Sequence, residues 1–260
     1  MSDAEIIGLA AAAVAAGMIN AIAGGGTLVT FPALLAFGIS PVVANATSTL
    51  ALFIGTAGSV YGYRRQIAAV GPWLKRFVPV SLLGGFLGSV ILTSTRESIF
   101  AKLIPFLLLF ATLLFLAQGA FRRFAGFADS SGRSAAPHRH AVWMAVLFQF
   151  LVAVYGGYFG AGIGILMLAS LGFLGLSDIH EMNGLKTTLG ALINLVATAW
   201  FVIAGLSDWP RAGVMTVGAL VGYFLGAHFA QRIPQKAVRH LITAIGLLIS
   251  AWLFYKHFAK

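Results

Sequence analysis

Charged positions along this chain are so sparse that they divide it into long apolar runs. Glu5 to Arg64 encloses 58 uncharged residues, Arg76 to Arg96 encloses 19, and Lys102 to Arg122 another 19. Arg139 to Asp178 encloses 38, Lys186 to Asp208 21, Arg211 to Arg232 20, and Arg239 to Lys256 16. A bilayer core of about 30 Å is crossed by about 20 apolar residues in a helix. The pattern predicts eight main spans, near 4–22, 41–63, 73–93, 99–121, 141–159, 179–206, 211–230 and 238–256. The runs are too long for barrel strands, and a chain in lipid must satisfy its backbone internally. The expected fold class is an all-α integral membrane protein. Asp3 and Glu5 stand where a cleaved signal peptide would carry basic residues, so the first run is expected to be a retained span.

Two runs exceed what spans alone require. The 58-residue run holds Gly24-Gly25-Gly26-Thr27, an apolar stretch to Phe37, then Gly38-Ile39-Ser40-Pro41. The 38-residue run repeats that anatomy, from Gly160-Ala161-Gly162-Ile163-Gly164 through apolar residues to Leu174, then Gly175-Leu176-Ser177-Asp178. An apolar piece of 10–14 residues suits a re-entrant or buried segment. Half-helices are therefore expected over 27–37 and 164–174. An offset of 138 residues superposes Gly24 and Gly26 on Gly162 and Gly164, Asn45 on Asn183, Thr49 on Thr187, and Gly84 and Gly88 on Gly222 and Gly226. The chain reads as a duplication: a first repeat over 1–121, a polar linker over 122–140, and a second repeat over 141–260. Each repeat would hold four spans and one glycine-broken half-helix. Paired interruptions of this kind point to a transporter binding site between the halves.

Composition narrows the class further. Apolar residues make up 59% of the chain and charged residues 9%, which excludes a soluble enzyme. Cysteine is absent, so no disulfide or thiolate chemistry is available. The net charge of +10 gathers in loops 64–76 and 122–139, expected to be cytoplasmic and to face anionic lipid, so no nucleic acid is needed as a partner. Parallel and inverted arrangements of the halves satisfy this charge rule equally.

The starts of the two long helices after the breaks carry the candidate chemistry. Ser40-Pro41 and Ser177-Asp178 read as helix starts. Helical spacing lines up Asn45, Ser48, Thr49, Thr56 and Ser59 in the first half, and Asn183, Lys186, Thr187, Gly190 and Asn194 in the second. The stripes match except where Ser48 meets Lys186. A lysine inside a span costs on the order of 2.5–3.5 kcal/mol and marks a pathway or a pairing. Lys186 would attract an anion, with Ser48, Thr49, Thr187, Asn45 and Asn183 around it. Half-helix N-termini near Thr27 and Gly164 would add backbone donors. The competing reading pairs Lys186 with Glu181 or Asp178, although Glu181 lies about 140° around the helix, or lets the lysine snorkel to the interface. Gly84, Gly88, Gly218, Gly222 and Gly226 read as helix-packing positions, leaving room for a homodimer. No His pair has metal spacing and no P-loop is present, so neither a metal nor another cofactor is called for.

Taken in order, Asn20-Ala21-Ile22-Ala23-Gly24-Gly25-Gly26-Thr27, Pro32, Leu34-Leu35, Gly38-Ile39-Ser40-Pro41 and Ala44-Asn45-Ala46-Thr47-Ser48 resemble the sulfite exporter TauE/SafE family. Tyr61-Gly62-Tyr63-Arg64-Arg65 and Gly84-Gly85-Phe86-Leu87-Gly88 fit the same pattern. In the second half Ile163 interrupts the glycine triplet. The resemblance implies a polytopic carrier of the bacterial inner membrane for sulfite, sulfonates or related organic anions. Carried onto this sequence, it adds Asn20, Gly24, Gly25, Gly26 and Thr27 to the candidate substrate-binding set, beside Gly162, Gly164 and Asn194. The expected function is a secondary transporter or facilitator, working in export, and not an enzyme. A membrane enzyme acting on a lipid-like substrate and a non-transporting scaffold are the alternatives.

Overall fold

The computed structural model describes residues 1–22, 25–62, 64–127, 139–173, 179–229 and 235–258. Among these, all regular structure is helical: α1 (Asp3–Ile22), α2 (Thr27–Ala36), α3 (Pro41–Gly62), α4 (Arg64–Ala69), α5 (Gly71–Ser94), α6 (Glu97–Phe127), α7 (Arg139–Tyr158), α8 (Ile163–Phe173), α9 (Ile179–Ile203), α10 (Trp209–Phe229) and α11 (Gln235–Phe258). Four of them, α1, α5, α6 and α9, contain stretches long and apolar enough to cross a bilayer by length and composition. Large apolar side chains lie exposed along these helices, such as Leu83, Leu87 and Ile91 on α5 and Leu113 and Leu116 on α6. So broad an apolar surface suits lipid, not water. The protein is all-helical and membrane-embedded.

Element boundaries follow local chemistry. Pro41 opens α3 at a position where the missing N–H has no cost, and the Ser40 carbonyl accepts from Ala44 N–H at 2.8 Å. Asp208 caps α10, its Oδ1 accepting from Arg211 N–H at 3.2 Å. The stretch expected to be a linker begins later than the charges suggest. α6 continues through Arg122 and Arg123 to Phe127, because nothing in Phe121–Phe127 breaks a helix except a tolerated Gly126. Asp129-Ser130-Ser131-Gly132, Gly24 and Ser177-Asp178 lie outside the described residues. α4 is a short helix within the basic loop over 64–76.

Directions follow from paired contacts. α2 turns back along α1, since Gly26 lies against Ala16 and Asn20 while Phe37 covers Gly8. Gly218, Gly222 and Gly226 pack in turn against Ala10, Val14 and Met18, so α10 and α1 run the same way. Gly84 and Gly88 meet Phe150 and Val154, so α5 and α7 are also parallel. α6 and α11 are antiparallel, with Phe106 on Phe254 and Thr112 on Gly246. One end of the bundle is tied by ions: Arg211 Nε donates to Glu5 Oε1 at 2.6 Å, its Nη1 donates to Asp208 Oδ2, and Asp208 N–H donates to Thr47 Oγ1 at 3.1 Å. These bonds join α1, α3 and α10 at what we call the Glu5 end.

Small residues set how closely the backbones approach. A Cβ at Gly222 would strike the Val14 carbonyl oxygen, and one at Gly88 the Val154 carbonyl oxygen. Membrane helices gain little from hydrophobicity against one another, so such close packing is a main source of their association. Gly222→Ala is therefore expected to lower the unfolding temperature in detergent sharply. Gly213→Ala on the same helix meets no atom within 4 Å and should be neutral or stabilising by about 0.5–1 kcal/mol. Thermal unfolding of both variants checks this contrast, and equal effects would contradict the packing account.

Candidate functional site

A cavity of about 160 Å³ opens between the broken segments and the long helices that follow them. Its wall includes Asn20, Gly25 and Thr27 from the first break, Gly160, Gly162, Ile163 and Gly164 from the second, Thr49, Leu52 and Thr56 from α3, and Lys186, Thr187, Gly190 and Asn194 from α9. Phe115, Phe159, Met167 and Leu168 supply apolar surface, and Tyr223 reaches in from α10. Gly25 has φ 103°, a region that side chains other than glycine's rarely enter, and the Phe115 ring fills the space beside it. The break is thus closed on one side by an aromatic ring and open on the other to the cavity.

A directed hydrogen-bond chain holds the first break. Gly26 N–H donates to Asn20 Oδ1 at 2.6 Å, which fixes the amide so that Nδ2 donates to Tyr223 Oη at 3.0 Å. Thr56 Oγ1 donates to the Leu52 carbonyl at 3.0 Å and so receives the Tyr223 hydroxyl proton at 3.1 Å. One line of donors thereby couples α1, α10 and α3. Asn20 is the residue that satisfies a first-turn donor of α2, which a helix leaves without an internal partner.

Lys186 stands two turns into α9. Its Nζ donates to Asn183 Oδ1 at 3.0 Å, and its aliphatic stem passes Gly164, where a Cβ would come within 3.3 Å of Cδ. Asn183 thus aims the ammonium instead of lining the wall itself. Thr49 donates to the Asn45 carbonyl at 2.8 Å and still borders the cavity.

Of the residues expected at the site, Asn20, Gly25, Thr27, Thr49, Gly162, Gly164, Lys186, Thr187 and Asn194 line the cavity. Gly26 lies just behind the wall. Ser48 does not reach it: the side chain is fully buried and donates to Thr30 Oγ1 at 2.6 Å, because Thr30 already donates to the Gly26 carbonyl. Asn45 sits one turn lower on α3, donating to the Tyr158 carbonyl at 3.2 Å. Ser59's side chain lies outside the described residues, as does Gly24. Tyr223 went unrecognised. It lies among packing glycines, and the 138-residue offset pairs it with Gly85. Its ring occupies the space over Gly55, while Gly85 faces Ile193, the residue that the offset pairs with Gly55; a Cβ at Gly85 would lie 3.2 Å from Ile193. The large and small members of the two pairs are thus exchanged between positions 138 residues apart.

The family model for sulfite exporter TauE/SafE matches residues 9–253. The chain belongs to the TauE/SafE family. The match takes in both breaks and every helix around the cavity. Among TauE/SafE relatives, "Probable membrane transporter protein YfcA" of Escherichia coli (strain K12) is 27% identical over 94% of this chain and 87% of its own. A "Probable membrane transporter protein" of Haemophilus influenzae is 30% identical over 92% of this chain and 91% of its own. "Probable membrane transporter protein YunE" of Bacillus subtilis is 22% identical over 93% and 94% respectively. No solved structure matches the chain. Family and relatives make this a membrane transporter of the TauE/SafE type.

Two substitutions test the hydrogen-bond chain. Asn20→Ala leaves the Gly26 N–H without its acceptor and Tyr223→Phe leaves the Asn20 amide without its acceptor. Each is expected to cost about 1–3 kcal/mol, as lost buried partners do. Unfolding in detergent measures the loss. In the double variant the two losses should sum to less than their separate total, since the groups share one network.

Proposed function

We propose that the chain is a secondary transporter or facilitator that moves a small anion, sulfite, a sulfonate or a related organic anion, outward through the cavity between two repeats. The observation that carries this reading is the cavity itself. An ammonium two turns inside a span shares a wall with hydroxyls of Thr27, Thr49, Thr56 and Thr187, the Asn194 amide, and the first turns of α2 and α8. Helix N-termini favour negative charge, and a lysine at membrane depth is retained at a cost of about 2.5–3.5 kcal/mol. Gly24, Gly26, Asn45, Ser48 and Asn183 belong to the same proposed site as the residues that shape and aim it.

The packing supports two repeats of opposite direction. Exchanging α1 with α7, α2 with α8, α3 with α9, α5 with α10 and α6 with α11 turns each main contact into another. The α1–α10 pair becomes α7–α5, α3–α10 becomes α9–α5, and α2–α11 becomes α8–α6. The α3–α9 and α6–α11 pairs map onto themselves. Residues 1–121 and 141–260 are the proposed repeats, and α1, α3, α5, α6, α7, α9, α10 and α11 the eight proposed spans. In this arrangement α4, the start of α5, the end of α6 and the start of α7 lie away from the Glu5 end, and with them Arg64, Lys75, Arg76, Arg122, Arg123 and Arg139. By the positive-inside rule these basic residues favour a cytoplasmic far end, which in the proposed orientation leaves both termini on the other side of a bacterial-type inner membrane. An inside-negative potential then favours export by about 2.3 kcal/mol per unit charge per 100 mV.

Lys186→Gln keeps the length of the side chain and removes its charge. In proteoliposomes with an imposed potential, sulfite or sulfonate flux is expected to fall to background, while the variant stays monodisperse and folded. Undiminished flux from Lys186→Gln would remove Lys186 from the site. Absence of flux from the unaltered protein for every sulfur oxyanion, sulfonate and small carboxylate would end the anion reading itself.

A further inference from the structure

Outside the substrate cavity, α2 and α11 leave a second space of about 380 Å³ between them. Its wall is wholly apolar, with Val29, Pro32 and Ala33 on α2 facing Ile249, Trp252 and Leu253 on α11. The other face of α2, Leu28, Phe31 and Leu34, is buried in the core. α2 runs back along α1 toward the Glu5 end. α11, antiparallel to α6, runs toward the same end. The groove therefore leads from the depth at which α2 begins, beside the substrate cavity, out to the Glu5 end of the bundle. There Trp252 is 58% exposed, and Lys256 Nζ lies 5.1 Å from the centre of its ring.

From this geometry we infer that the α2–α11 groove is a binding site for one phospholipid of the leaflet at the Glu5 end. One acyl chain lies along the groove and the phosphate meets Lys256. Three features select this occupant. An apolar slot at membrane depth holds no water and loses packing energy if left empty, so hydrocarbon fills it. Tryptophan settles at the headgroup level, which puts the outer mouth of the groove at the interface. A cation at that mouth complements a phosphate and does nothing for a hydrocarbon or a second apolar helix. The chain of such a lipid bears on the outer face of α2, while the first turn of the same helix lines the substrate cavity. The inference rests on membrane embedding alone and stands apart from the identity of the transported solute.

The test uses the full-length protein in proteoliposomes containing phosphatidylglycerol with a photoreactive diazirine midway along one acyl chain. After irradiation, labelled peptides are mapped by mass spectrometry. Label is expected to concentrate on residues 29–36 and 245–253, and Ala33→Phe, which fills the slot, should reduce it to the level of the other lipid-facing surfaces. Should Ala33→Phe fail to fold, Ile249→Phe fills the same space from α11. Lys256→Gln should weaken labelling about fivefold, the equivalent of about 1 kcal/mol for one surface cation. It should leave labelling by a diacylglycerol of the same chains unchanged. Label spread evenly over the helices, or unaltered by filling the slot, would overturn the inference. So would a chain-to-chain dimer that the filled slot abolishes, since the groove would then seat a second copy.

Discussion

A helix that begins inside a membrane protein has first-turn N–H groups without an intrahelical partner, and each must find an acceptor in the protein or in what occupies the cavity beside it. The 2.6 Å bond from Gly26 to Asn20 is where this chain meets that demand. Much of the site depends on it. It fixes the Asn20 amide, the amide orients the Tyr223 hydroxyl, and the hydroxyl reaches Thr56 on α3. A broken segment, which alone would be a weak point, becomes a junction between α1, α3 and α10.

Close backbone approach supplies the frame for that junction. α1 against α10 and α5 against α7 meet through glycines whose missing side chains leave no space unfilled. Such contacts are short-ranged and steric, so they resist small displacements more than area burial does. At the Glu5 end a different force operates. Arg211 is gripped by Glu5 and Asp208 while Asp208 also holds Thr47, which fastens α1, α3 and α10 where the surroundings become aqueous. Ion pairs at that depth are less screened than surface ones and are reinforced here by backbone hydrogen bonds.

The helical, membrane-type class was legible from the scarcity of charge, because lipid penalises charge so strongly that long runs are left without it. The glycine breaks were legible because glycine alone enters readily the positive-φ region that Gly25, Gly160 and Gly162 occupy, at 103°, 82° and 81°. The lining of the cavity was readable where one helix face determines it, as for Thr49, Lys186, Thr187 and Asn194. It was not readable where height along the helix decides. Asn45 and Ser48 share the face of Thr49, yet Tyr158 and Thr30 take up their side chains first. Tyr223 escaped because its role comes from two partners, Asn20 and Thr56, which lie 203 and 167 residues away. The end of α6 was misjudged because arginines mark where lipid stops, and a helix does not stop with it.

The exchanged pair Tyr223–Gly55 and Ile193–Gly85 has a consequence of its own. In the proposed repeats the phenol stands where the matching place holds only a methyl-bearing branch, and the ammonium of Lys186 where the matching place holds the buried hydroxyl of Ser48. The cavity is therefore lined unequally about the proposed symmetry, with a phenol and an ammonium that have only an aliphatic branch and a buried hydroxyl as counterparts. Detailed balance forbids such lopsidedness from pumping anything, since the resting distribution of a solute answers only to concentration and voltage. What it would set, under the proposed function, is kinetic: the same molecule, turned around in a vesicle wall, would show unequal rates under equal and opposite gradients.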